Sequence, residues 1–117
     1  MIQALVVDDD PALRLLCRVN LELEGFSVRE AATIGEAESA ITAERPDVVL
    51  LDVHLGGQQT HELLAKIRAA GIPVALVTGS VDIAEYRGRA DAVLGKPFVP
   101  ATLVETARRL GSVRTDA

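Results

Sequence analysis

Tryptophan is absent from this chain, and only 3% of its 117 residues are aromatic, so a core has to be built from aliphatic side chains. The one cysteine, Cys17, can form no internal disulfide, and the expectation is a reducing, cytoplasmic location. Positive charge is scarce. The net charge of −5 argues against a face that grips nucleic acid directly and suits a protein that holds a cation. No stretch reaches the ~18 apolar residues of a membrane span, and the N-terminus carries no basic segment ahead of a signal-peptide core, so no membrane insertion is expected. Catalytic signatures are missing as well. There is no G-x-x-x-x-G-K-[ST] phosphate loop and no G-x-S-x-G, and His54 and His61 lack partners at zinc spacing. No internal repeat, linker or low-complexity tract interrupts the chain.

Apolar residues are plentiful, at 49%, which is enough for one folded domain of this length. They fall in short runs: Ile2–Val7, Val48–Leu51, Ile72–Val77 and Ala92–Leu94, with a weaker Phe26–Val28. Runs without polar alternation suit parallel strands covered on both faces. Helical patterns lie between them. Ala12, Leu16, Val19 and Leu23 share one face of a first helix, stopped by Gly25. Thr33 and Glu36 have capping-box spacing for a helix through Ala43. Leu63, Leu64 and Ile67 mark a third helix ending near Gly71, and Leu103, Val104, Ala107 and Leu110 mark the last. Residues 79–90, "GSVDIAEYRGRA", have weak apolar period and predict one short or distorted helix. Strand–helix alternation of this kind predicts an α/β domain, a parallel sheet with helices on both faces. The domain is expected over residues 1–111, with 112–117 a frayed tail.

Ligands of such sheets sit at the carboxyl ends of the strands. Asp8 and Asp9 follow the first strand, Asp52 follows "VVLL", Thr78 follows "VALV" and Lys96 follows the last strand. Adjacent carboxylates repel unless something compensates them. Asp10, before Pro11, has the ordinary task of capping a helix. Asp8 and Asp9 stay ionised most simply by sharing a hard cation, and Mg²⁺ suits a few carboxylates and a carbonyl. A carboxylate nucleophile beside Mg²⁺, with lysine and threonine to hold phosphoryl oxygens, points to phosphoryl transfer onto an aspartate.

"LVVDDD", "VVLLDV", "ALVTG" and "GKPF", in this order and on these strands, resemble the motifs of response-regulator receiver domains of two-component signalling. The resemblance covers about residues 2–110. It implies a flavodoxin-like doubly wound five-stranded sheet of order 2-1-3-4-5 with a shortened or irregular fourth helix. It also implies that Asp52 is the phosphoacceptor, that Asp8, Asp9 and Asp52 with the His54 backbone carbonyl hold Mg²⁺, and that Asp9 is a more direct ligand than Asp8. Thr78 would be the switch hydroxyl and Lys96 the partner of a phosphoryl oxygen, beside a cis Lys96–Pro97 bond. The implied donor is a phosphohistidine on a sensor histidine kinase or a histidine phosphotransfer protein, met at the first helix. The implied output runs through a partner protein, with a phosphorylation-dependent homodimer as one form, and the activity is that of a signalling receiver, not of an enzyme.

Departures fall around the site. Receivers commonly read Met-Pro-x-Met-Asp-Gly after the acceptor; here "HLGGQQTH" puts Gly56 where the proline stands, followed by Gly57, and a more flexible loop is expected. The usual switch aromatic is Val93, and the stretch from Thr78 to Lys96 is short. The His54 side chain has two readings, a gate for water or a solvated loop residue. His61 reads as surface, Cys17 as a packed small side chain, and Tyr86 as a cover for the shortened segment or a displaced switch aromatic. Two alternatives stand beside the receiver. One is a degenerate receiver that only binds proteins. The other is a small Mg²⁺-dependent phosphohydrolase, which should carry D-x-D-x-T where this chain has "DDD" and "DVH".

Overall fold

The apolar runs do form strands. In the computed structural model, which describes residues 1–79, 86 and 88–112, the chain runs β1 (Gln3–Val7), α1 (Pro11–Leu23), β2 (Ser27–Ala31), α2 (Ile34–Ala43) and β3 (Val48–Asp52). It continues through β4 (His54–Leu55), β5 (Gln58–Gln59), α3 (His61–Ala69), β6 (Val74–Thr78), β7 (Ala92–Gly95) and a C-terminal helix, Pro100–Gly111. The main sheet is parallel in the order β2-β1-β3-β6-β7, and β4 and β5 form a separate antiparallel pair. Counted without that pair, the order is the expected 2-1-3-4-5. Residues 80–85 and 87 of the expected fourth helix, and 113–117 of the expected tail, lie outside the described residues.

Strand alternation divides the core in two. Ala4, Val6, Val48, Leu50, Ala75, Val77 and Leu94 pack with Cys17 and Leu21 of α1 and Leu103 and Ala107 of the C-terminal helix. Leu5, Val7, Val49, Leu51, Val74 and Leu76 pack on the other face with Ala37 of α2 and Leu63, Leu64 and Ile67 of α3. The helix ends are set locally. The Asp10 carboxylate accepts from the Ala12 N–H at 2.9 Å, with Pro11 at the first helical position. Thr33 Oγ1 accepts from the Glu36 N–H at 3.0 Å, and Glu36 reaches back to the Ala32 N–H at 2.8 Å, one residue before the cap. Gly25, at φ 89°, ends α1 in the left-handed region that favours glycine.

The core-facing stripe of α1 is not the one the apolar spacing suggested. Cys17 and Leu21 are buried, with Leu13 packed beside them, whereas Leu16, Val19 and Leu23 are exposed, Leu23 to 77%. Helix α1 carries apolar residues on more than half its circumference, so period alone cannot say which stripe the sheet will cover.

At the far end of the chain, a Cβ added to Gly111 would lie 2.5 Å from Ile2 Cγ2 and 3.4 Å from Val48 Cγ1. Both neighbours are β-branched and stiff, so the C-terminal helix approaches the β1 and β3 edge closely only because residue 111 is glycine. Gly111→Ala is therefore expected to destabilise the protein by about 1–2 kcal/mol in urea unfolding, overpacking outweighing the better helix propensity.

Candidate functional site

The sheet order reverses between β1 and β3, and their register pairs Val7 with Leu51. Asp8, the next residue, therefore emerges beside Asp52. Asp8 keeps the parity of Ala4 and Val6, Asp52 that of Val48 and Leu50, and Lys96 that of Ala92 and Leu94, so all three side chains leave on the α1 side of the sheet. Thr78 keeps the parity of Val74 and Leu76, which face the other core cluster. It is buried, and its carbonyl accepts the Lys96 N–H at 2.7 Å. The Lys96–Pro97 bond is cis, as the resemblance implied.

One carboxylate oxygen from each of Asp8, Asp9 and Asp52 lies within 4.8 Å of the others. Asp8 and Asp52 are buried and Asp9 is exposed. Lys96 Nζ spans the two buried groups, 3.3 Å from Asp8 Oδ2 and 3.2 Å from Asp52 Oδ2. Burial pushes the Asp8 carboxyl above its ordinary value. The Asp10 N–H, bonded to Asp8 Oδ1 at 2.9 Å, opposes that rise, the Asp52 charge adds to it, and Lys96 opposes it. Burial draws the Lys96 ammonium down, but the charges of Asp52 and Asp8 outweigh it, and the net displacement is upward. Three carboxylates without a nitrogen or sulfur donor form a set that fits a hard divalent cation.

Past Asp52 the chain forms a tight hairpin. His54 pairs with Gln59 and Leu55 with Gln58 around Gly56 and Gly57, at φ 55° and 83°. Two positive φ angles define the type I′ turn, whose twist matches the strands it joins. The Thr60 N–H donates to the Val53 carbonyl at 3.0 Å. Antiparallel pairs alternate, so Leu55–Gln58 and Val53–Thr60 are the hydrogen-bonded pairs and His54–Gln59 is not. The N–H and C=O of His54 consequently face away from β5, and that N–H donates to Asp52 Oδ1 at 3.3 Å. The free edge of His54 thus lies toward the acidic cluster. At the hairpin tip the Gly56 N–H donates to Asp9 Oδ2 at 3.0 Å.

Three contributors are given no site role by the sequence reading. Thr60, 1% exposed, donates its hydroxyl to the Asp52 carbonyl at 2.8 Å and lies 3.0 Å from the Val53 carbonyl, pinning the main chain at Asp52. Arg14 Nη1 donates to the Asp8 carbonyl at 2.7 Å, while its Nε pairs with Glu30 at 3.0 Å. Arg18 also bonds Glu30 and, with Arg14, holds that carboxyl below its usual value against the opposing effect of burial. The third is Gly56; "LGGQ" between two-residue strands was itself a hairpin signal. His61, expected at the surface, is half-buried, its Nε2 3.3 Å from the buried Tyr86 hydroxyl. Cys17 is packed as expected, and burial, with the Asp8 charge, pushes its thiol up to about 12. Val93 packs partly buried on the α3 side of the sheet.

The family model described as "Response regulator receiver domain" matches residues 4–108. This chain belongs to that family. Among curated proteins it is 38% identical over 112 residues to the DNA-binding response regulator MtrA of Mycolicibacterium smegmatis, matching 89% of this chain and 48% of that one. The chain thus spans about half the length of that relative. Among solved structures, a CheY-like receiver domain protein from Methanospirillum hungatei superposes with TM-score 0.84 at 33% identity, covering 93% of this chain and 92% of that one. The response regulator TrrA of Thermotoga maritima, solved in complex with Mg²⁺-BeF, superposes with TM-score 0.82 at 29% identity, covering 94% and 99%. The domain is a signalling module homologous to two-component response regulators, and among the described residues no helix is long and apolar enough to cross a membrane.

Proposed function

We propose that Asp52 is the phosphoacceptor of this receiver, that Asp8, Asp9, Asp52 and the His54 carbonyl hold Mg²⁺, and that Thr78 and Lys96 answer the arriving phosphoryl group. The observation that carries this reading is the convergence of three carboxylates on one point with Lys96 bridging two of them. The Mg²⁺-bound structure of TrrA adds support by likeness. An Asp52 carboxylate oxygen attacks the phosphorus of a phosphohistidine. The new P–O bond forms an acyl phosphate as the P–N bond breaks, and the imidazole leaves with the bonding pair and takes a proton from water. Lys96, already 3.2 Å from Asp52, is poised to neutralise a phosphoryl oxygen. A divalent cation, when bound, supplies further neutralisation of the phosphoryl charge. The added charge of about −2 then biases the Thr78 hydroxyl and the partner-binding surface between two states.

The donor would be a histidine kinase or phosphotransfer protein docking on α1, where the exposed Leu15, Leu16, Val19 and Leu23 form an apolar stripe. Output would pass to a partner protein or a second copy, with residues 1–111 acting as the receiver unit. Incubation with acetyl phosphate and Mg²⁺ is expected to add one phosphoryl group by intact mass, and EDTA to prevent it. A chain that stays unlabelled at saturating donor and Mg²⁺ would overturn this reading in favour of a binding-only module.

Asp10 separates the cap from the cation site. Asp10→Ala is expected to cost about 1 kcal/mol of stability, as lost caps do, while leaving Mg²⁺ affinity within twofold in a calorimetric titration.

A further inference from the structure

The exposed Asp9 side chain stands at the mouth of the cluster, unlike its two buried partners. An exposed carboxylate samples several rotamers, and holding it in one costs conformational entropy at the moment a ligand binds. Here the orientation is set beforehand. Asp9 Oδ2 accepts the Gly56 N–H at 3.0 Å, from a residue 47 positions away in sequence. That N–H is available for two reasons. Gly56 occupies the first turn position of the type I′ hairpin, so its N–H is not used in the ladder. It also stands where the common receiver motif carries proline, which has no N–H.

We propose that the His54–Gln59 hairpin is a positioning element for the cation site, acting through the Gly56 main-chain N–H on Asp9. This rests on the reading of Asp9 as a Mg²⁺ ligand. The bond leaves Asp9 its second oxygen and a remaining lone pair on the first, so orienting the group does not use up its donor capacity. The same hairpin turns the free edge of His54 toward Asp52, so one short element aligns groups on both sides of the cluster. Gly56 is a positioning residue, because it touches the ligand and not the cation.

The bond can be removed while the turn keeps a residue with glycine's backbone freedom. An ester in place of the Gly56 amide, introduced as glycolic acid in the full chain, deletes the N–H and keeps the positive φ accessible. An ester at Gly57 is the control, altering the same turn without touching the Asp9 bond. Mg²⁺ affinity by calorimetry is expected to fall about tenfold for the Gly56 ester, the lower end of what groups behind a metal ligand contribute, and to stay within twofold for the Gly57 ester. In the parent, the Gly56 amide should exchange slowly with solvent, and Asp9→Ala should release it. Equal Mg²⁺ affinity in parent and Gly56 ester, or an equal loss in both esters, overturns the proposal, provided Asp9→Asn itself binds more weakly. If Asp9→Asn binds Mg²⁺ as the parent does, the reading of Asp9 as a ligand fails instead.

Discussion

Asp52→Asn is expected to abolish uptake of a phosphoryl group from acetyl phosphate in the presence of Mg²⁺, measured by intact mass. The amide is close to isosteric. Its oxygen can still accept the His54 N–H that Asp52 Oδ1 accepts at 3.3 Å, and the Thr60 bond runs to the main-chain carbonyl, not the side chain. The fold and the hairpin should therefore survive while the anionic nucleophile is lost. The neighbouring carboxylates are poor substitutes. Asp8 is 4% exposed, with one oxygen on the Asp10 N–H and the other on Lys96. Asp9 is held by Gly56 at the rim. Labelling of Asp52→Asn at the parent's level would remove Asp52 from its assigned role.

Asp8→Asn is expected to stabilise the metal-free protein by about 1 kcal/mol at neutral pH while sharply weakening Mg²⁺ binding, the trade-off between stability and function that active sites carry. Burial is the largest cause of the raised Asp8 carboxyl, and together with the Asp52 charge it exceeds the help from the Asp10 N–H and Lys96. A carboxyl whose native pKa stands above its ordinary value of 3.8 takes up protons more readily folded than unfolded. Its charge therefore costs stability at neutral pH, and that cost shrinks as pH falls through the native pKa. Asparagine removes the charge and keeps an oxygen for the Asp10 N–H. The advantage of Asp8→Asn in urea unfolding should accordingly be largest near pH 7 and vanish below about pH 4, where the parent carboxyl is protonated as well. A variant less stable than the parent across the whole range would mean that the Lys96 pair outweighs the burial of the charge.

The cluster was legible in the sequence because a parallel strand makes its end predictable. Asp8, Asp52, Thr78 and Lys96 each follow a short apolar run, and such runs alternating with helical patterns form a parallel sheet whose strands end on one edge. Asp10 was legible because a cap acts within a few residues of itself. The apolar runs marked the five strands of the main sheet but not the β4–β5 hairpin, and the helix stops at Gly25 and Gly71 follow from their positive φ, a demand that glycine meets without strain.

What the tertiary structure decided lies where the information is relative. Period could not choose between the two apolar stripes of α1, because the choice belongs to the sheet that covers one of them, and it covered Cys17 and Leu21. Strand alternation, anchored only once the two core clusters are known, gives Asp52 and Lys96 the parity of the α1-side cluster and Thr78 that of Val74 and Leu76. Thr60 and Arg14 look ordinary in sequence, since each acts on a carbonyl of the main chain, and carbonyls carry no residue identity. Gly56 reads locally as freedom. Its bond to Asp9 exists only because β1 and β3 are neighbours, bringing together two loops that the chain keeps 47 residues apart.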